Sequence, residues 1–178
     1  MRIVLTGCKG SGKSTIGREL AVLLKMHPVE TDNLIESLFE KQQGKPASCR
    51  EICRTRGEKY FRQLECRAVK QSLQSDNCVI CTGGQTLMND DSRRELSRQG
   101  TIVLLTVNFE TTWQRVKARG IPPFMPADNP REWFKERVEK INQVIEKVAH
   151  LKIDVTGTTP RRAAQTIATQ ISPALFQR

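Results

Sequence analysis

Gly7, Gly12, Lys13 and Ser14 stand in the order Gly-x4-Gly-Lys-Ser within the segment GCKGSGKST. Residues of these types at this spacing hold phosphate. Gly10 and Gly12 let the backbone wrap a β-phosphate with its N–H groups, and the N-terminus of a following helix adds positive potential. Lys13 is placed to bridge the β- and γ-phosphates and Ser14 to ligate Mg²⁺. Ser11 and Thr15 complete the stretch expected to contact the nucleotide. A strand-like run, Arg2 to Thr6, precedes the motif, and a helical pattern from Lys13 to Lys25 follows it. That context separates the motif from a chance glycine turn.

A second set of chemical residues lies downstream. Glu30-Thr31-Asp32 ends a short extended segment, and carboxylates two residues apart in extended chain point the same way. One would hold Mg²⁺ through water; the other would orient an attacking hydroxyl or take its proton. Asp32 reads equally as the cap of a helix beginning near Asn33. Arg62 and Glu65 share a helix face, either in a pocket or as a surface ion pair. Thr82-Gly83-Gly84 reads as a strand-to-helix turn or as a place of close backbone approach to a ligand.

The elements that must position these residues alternate in type. Strands are expected at Arg2 to Thr6, Pro28 to Glu30, Asn77 to Cys81, Thr101 to Val107 and Leu151 to Val155. Helices are expected at Lys13 to Lys25, with Ile16, Leu20, Leu23 and Leu24 on one face, from near Asn33, and at Cys49 to Leu73. Others follow at Asp91 to Arg98 with Gly100 as its stop, Thr111 to Arg119, Arg131 to Ala149, and after Pro160. This alternation implies an α/β protein: a three-layer α/β/α arrangement around a five-stranded parallel sheet, of the P-loop NTPase type. The whole chain, 1–178, reads as one domain. Gly120 to Pro130 holds four prolines, cannot be a regular helix, and marks a lid at about 118–131. An acceptor-binding helical segment is expected at about 32–73.

Composition narrows the function classes. No apolar run approaches the roughly 20 residues of a membrane span. The N-terminus enters a strand at once with no signal-peptide pattern, so a cytoplasmic location is expected. The net charge is +10, but the basic residues are scattered and aromatics make up only 5%, so no stacking platform for nucleic acid is visible. Six cysteines suit free thiols in a cytosolic enzyme. Cys49-x3-Cys53 and Cys78-x2-Cys81 have zinc-like spacing. Yet the odd offset of Cys78 and Cys81 along a strand sends their side chains to opposite faces, which argues against a metal site. No heptad pattern is present, and a monomer is expected. The chain is short and lacks an NKxD base-reading sequence, which favours phosphoryl transfer to a small acceptor over a switch or motor.

In this order and spacing, GCKGSGKST at 7–15, ETDNLIE at 30–36, RGEKYFRQLE at 56–65, ICTGGQ at 80–85 and AHLKIDV at 149–155 resemble the shikimate kinase family. The resemblance implies ATP-dependent transfer to the 3-hydroxyl of shikimate, giving shikimate 3-phosphate and ADP in aromatic amino-acid biosynthesis. It implies Lys13 on the phosphates, Ser14 and Glu30 at Mg²⁺, and Asp32 on the acceptor hydroxyls as general base. It places Arg62 on the substrate carboxylate, Glu65 orienting it, Phe61 as a wall, and Gly83 and Gly84 as backbone contacts. Arg115 and Pro160 resemble the pair that brackets adenine.

The chain departs from that pattern at several positions. Glu30 replaces the usual Asp. Gln85 follows Gly83-Gly84 where the family has a third glycine. The lid lacks the family's Arg-Pro-Leu, and Arg119 is its nearest basic residue. Ile141 stands where the family has a second carboxylate-binding Arg and is expected at the acceptor pocket. Arg137, one helical turn earlier, is expected to supply that guanidinium.

Overall fold

Five short runs, the three central ones rich in Val, Ile and Leu, pair into a single parallel sheet in the order β2-β3-β1-β4-β5. In the computed structural model, which describes residues 1–118, 120–121 and 125–175, the strands are β1 (Arg2–Thr6), β2 (His27–Glu30), β3 (Cys78–Cys81), β4 (Thr101–Thr106) and β5 (Leu151–Asp154). The helices are α1 (Lys13–Leu24), α2 (Thr31–Gln43), α3 (Cys49–Ser72), α4 (Asp90–Gln99), α5 (Phe109–Ala118), α6 (Pro130–Glu146) and α7 (Pro160–Leu175). A 3₁₀ turn spans Thr86–Met88. The expected class, strand count and parallel pairing all hold. Among the described residues no helix is long and apolar enough to cross a membrane.

Side chains alternate across the strands and build two cores, one on each face. Ile3, Leu5, Val79 and Cys81 pack with α1 and α7 residues such as Leu20 and Ile167. Val4, Cys78, Ile80 and Leu104 pack on the other face with Val69, Leu96 and Ile145. Cys78 and Cys81 thus face opposite layers, as their odd offset requires. All six cysteines are free. Among the described residues no group of three or more His, Cys, Asp or Glu is arranged to hold a metal.

Several local features differ from the sequence reading. On α1 the buried stripe runs through Ile16, Gly17, Leu20 and Ala21, and Leu23 is 48% exposed. Small residues at 17 and 21 let the helix approach the sheet on that side, which turns Leu23 to the edge of the arc. Gly100 does stop α4, but with extended φ of −145° rather than a left-handed one. Its lack of a side chain matters for space: a Cβ there would lie 2.8 Å from Val4 Cγ2. α3 begins with a capping box, in which Ser48 Oγ accepts from Glu51 N–H while Ser48 N–H donates to the Glu51 carboxylate. α3 then breaks at Gly57, where φ 82° and ψ 165° are non-helical. The second limb carries Phe61, Arg62 and Glu65.

Gly17 sets how closely α1, and the loop it anchors, approach β3. A Cβ at Gly17 would sit 2.2 Å from Cys81 Sγ and 3.4 Å from Leu5 Cδ1. Gly17→Ala is therefore expected to lower unfolding stability by about 1–3 kcal/mol despite alanine's better helix propensity. Urea denaturation of Gly17→Ala alone and with Cys81→Ala checks this. The second substitution should restore most of the loss because it removes the colliding sulfur.

Candidate active site

The loop after β1 closes on itself around Lys13. Gly7, Gly10 and Gly12 have φ of 140°, 89° and 91°, and at Gly7 a Cβ would lie 2.3 Å from Leu105 O. Only glycine fits there. Lys13 Nζ donates to Gly7 O and Cys8 O at 2.9 Å each and approaches Ser11 Oγ at 3.4 Å. Its backbone belongs to the first residue of α1, so the ring of loop carbonyls sits at a helix N-terminus, where anions bind. Burial pulls the Lys13 ammonium below its usual range, opposed by Cys8, Asp32, Cys81 and Glu30. Burial also raises the Cys8 thiol, with Lys13 acting against it, so Cys8 is a neutral packing residue in this loop. Cys81, buried and close to Glu30, is pushed up to about 12.

Ser14 Oγ donates to Glu30 Oε2 at 2.9 Å. The other Glu30 oxygen, Oε1, is buried and has no hydrogen-bond partner. A hydroxyl and a carboxylate with one oxygen to spare fit a hard, oxygen-seeking divalent cation that takes its remaining ligands from phosphate and water.

Glu30 and Asp32 do not share an extended segment. Glu30 is the residue before α2, and α2 begins at Thr31, so Asp32 lies in the first helical turn rather than at the cap. No side chain caps this helix. The cap reading of Asp32 is thereby replaced by an unassigned carboxylate opening onto the site. Asp32 is exposed by surface area, but the surrounding protein strips enough water to raise its carboxyl above the ordinary 3.8. Lys13 opposes that rise, and Glu65, Glu30 and Glu36 add to it.

Arg62 and Glu65 form a half-buried pair, with the carboxylate inside the protein and the guanidinium partly exposed. Glu65 is 2% exposed; its Oε2 accepts from Arg62 Nη1 at 2.8 Å and its Oε1 from Thr86 Oγ1 at 2.7 Å. Arg62 also donates to Glu58 at 3.1 Å and lies 5.6 Å from the Phe61 ring centre. Gly83 borders the same carboxylates: a Cβ there would lie 3.0 Å from Glu65 Oε1 and 3.4 Å from Asp32 Oδ1. At Gly84 a Cβ would meet the Lys9 backbone nitrogen at 3.0 Å, so this turn packs directly on the phosphate loop.

The sequence reading passed over two threonines. Thr31 Oγ1 donates to Cys81 O at 3.3 Å and accepts from Gly83 N–H at 3.0 Å, tying the start of α2 to the end of β3. Thr86 fixes Glu65. The only signals for them were their positions, one between the two carboxylates and one just after the glycine turn.

On the far side of the loop, Arg115 Nη1 donates to Gly10 O at 2.9 Å, and Pro160 opens α7. In the lid, Met125 packs with Trp113, Phe134 and Val138, and Arg50 Nη2 donates to Ile121 O at 3.1 Å. Arg119 lies outside the described residues. Ile141 is not at the pocket: it is 3% exposed in the core with Val4, Leu87 and Ile145. Arg137 does reach the site, where Gln85 Oε1 accepts from Arg137 Nη2 at 2.6 Å and from Arg62 Nη2 at 3.0 Å.

A phosphate cradle at a helix N-terminus, with acidic and basic side chains gathered at the carboxyl ends of neighbouring parallel strands, defines a P-loop phosphotransferase. Residues 9–172 match the family described as "Shikimate kinase". The shikimate kinase of Vibrio parahaemolyticus is 34% identical over 99% of this chain and 96% of its own length. That of Persephonella marina is 34% identical over 95% of this chain and 98% of its own. A solved shikimate kinase from Acinetobacter baumannii, in complex with shikimate, superposes with a TM-score of 0.87 at 28% identity, covering 97% of this chain and 93% of that one. The chain belongs to the shikimate kinase family.

Proposed function

We infer that this chain transfers the γ-phosphoryl group of ATP to the 3-hydroxyl of shikimate. The observation that carries the acceptor side is the convergence of Arg62 and Arg137 on a single oxygen, beside the turn that borders Asp32. Two guanidinium groups aimed at one point recognise a carboxylate, and a raised carboxyl nearby takes a hydroxyl proton.

Lys13 leaves its loop carbonyls for the β- and γ-phosphate oxygens and neutralises charge as the transferring group loosens from ADP. Backbone N–H groups from Gly10 to Thr15 hold the same phosphates. Arg115 and Pro160 flank the adenine. Ser14 and Glu30 would hold Mg²⁺, whose chemistry is to neutralise the phosphate oxygens. On the other side, Arg62, braced by Glu65 and backed by Phe61, fixes the acceptor's carboxylate together with Arg137. Gly83 and Gly84 contact the acceptor through their backbone. Asp32 orients the 3-hydroxyl and accepts its proton as the oxygen attacks.

The test is a coupled ADP-release assay with shikimate, gluconate and nucleoside monophosphates as acceptors. Shikimate is expected to exceed every other acceptor in kcat/KM by about 100-fold or more, since turnover requires one ligand to pair its anion with both guanidinium groups and present a hydroxyl at Asp32 at the same time. Preferred turnover of another acceptor overturns the assignment.

A further inference from the structure

Gln85 occupies a position where a side chain is unexpected, and its surroundings give that side chain a definite role. It precedes the 3₁₀ turn and makes no capping bond. Its amide oxygen instead receives both guanidinium groups of the pocket, Arg137 at 2.6 Å and Arg62 at 3.0 Å. The two arginines are otherwise unequally supplied. Arg62 is braced by Glu65 and Glu58. Arg137 lies 5.7 Å from the Trp133 ring centre, its Nε is buried with no hydrogen-bond partner, and no carboxylate lies in ion-pair range among the described residues. Two positive groups therefore share one neutral oxygen, an arrangement that a carboxylate, with a full charge and two acceptor oxygens, satisfies better.

The geometry points to Gln85 as a resident stand-in for the acceptor's carboxylate, an affinity-setting residue that holds the two arginines together in the empty pocket and must be displaced as the acceptor binds. This rests on the acceptor reading given above. Displacement costs the enzyme two charge-assisted hydrogen bonds before the acceptor makes its own. Gln85 thereby weakens acceptor binding without touching the reacting atoms.

Steady-state kinetics of Gln85→Ala and Gln85→Glu with shikimate and with its methyl ester test this. Gln85→Ala is expected to lower the shikimate KM about five- to tenfold with kcat within about twofold. Gln85→Glu, which places a charged group between the arginines, is expected to raise KM about tenfold or more. The gain from Gln85→Ala should be absent for the methyl ester and should shrink in an Arg137→Ala background. A KM that rises in Gln85→Ala would show that Gln85 positions the arginines for substrate, and overturns the stand-in role, as does an unchanged KM in both variants. Should the alanine variant fold poorly, the near-isosteric Gln85→Glu still decides the direction. Shikimate turnover by the wild type with the wrong KM order sinks this inference alone; absence of shikimate turnover sinks the acceptor assignment and this inference with it.

Discussion

Asp32→Asn is expected to lower kcat by about 10²–10⁴ while leaving the ATP affinity nearly unchanged. The amide keeps the size and the hydrogen-bonding reach of the carboxylate but cannot accept the hydroxyl proton. The pH dependence makes the expectation sharper. Burial, with Glu65, Glu30 and Glu36 nearby, raises the Asp32 carboxyl above its ordinary 3.8 even against the attraction of Lys13. The acid limb of kcat/KM in the wild type, which reports the free enzyme, should therefore lie above 3.8, and the residual rate of Asp32→Asn should lack that limb. Stability moves the other way. A carboxyl whose folded pKa is raised binds its proton more tightly in the native state, so native stability falls as pH rises from 3.8 through the raised value. At pH 7 the ionised Asp32 costs stability, and Asp32→Asn should melt at a higher temperature than the wild type. The difference should fade as the pH drops below 3.8. A variant that keeps its kcat removes Asp32 as the base; one that loses both kcat and melting temperature marks it as a structural residue.

The donor half of this site was legible because its chemistry depends on backbone shape. Three glycines, a lysine and a serine at fixed spacing between a strand and a helix leave few other conformations, and the structure forms the expected loop with positive φ at each glycine. The centre of the sheet was legible for a similar reason: β1, β3 and β4 are buried along nearly their whole length and read as continuous apolar runs, whereas the edge strands β2 and β5 are short and partly exposed. The acceptor half was less so. Arg62 and Glu65 at i and i+3 look the same on an exposed helix as in a pocket, and only the fold decides which face meets the site. Asp32 resembled a helix cap because the boundary of α2 was misplaced by two residues, a shift within the ordinary spread of helix ends. Ile141 was placed at the pocket by its alignment with an arginine, yet a helix that turns that residue inward buries an isoleucine without strain. The long-range contacts of Gln85 with Arg62 and Arg137 join residues 23 and 52 positions away, and no local periodicity encodes them.

Lys13→Met should abolish detectable transfer, with a fall in kcat of at least about 10³, while making the nucleotide-free protein more stable. Both halves follow from one environment. The Lys13 ammonium is buried among loop carbonyls, with Gly7 O and Cys8 O at 2.9 Å, and its pKa lies below the usual 10.5 because burial outweighs the pull of the neighbouring acids. For a base with a depressed folded pKa, the native state binds its proton less tightly than the unfolded chain. Stability then rises with pH through the window from the depressed value to 10.5, and below that window the charged lysine costs the fold free energy. Methionine fills much the same volume without a charge, so its melting temperature at pH 7 should exceed that of the wild type. The two variants should separate on adding MgATP. Wild type gains melting temperature because nucleotide binds only the folded state, and Lys13→Met should gain much less. A Lys13→Met enzyme that melts lower without nucleotide would mean that the hydrogen bonds from Nζ hold the loop together more strongly than burial opposes them. In that case the carbonyl ring around Nζ is a structural clasp. If the melting temperature rises instead, the empty loop is held in a costly charged state that phosphate relieves, and part of the affinity for ATP comes from that relief.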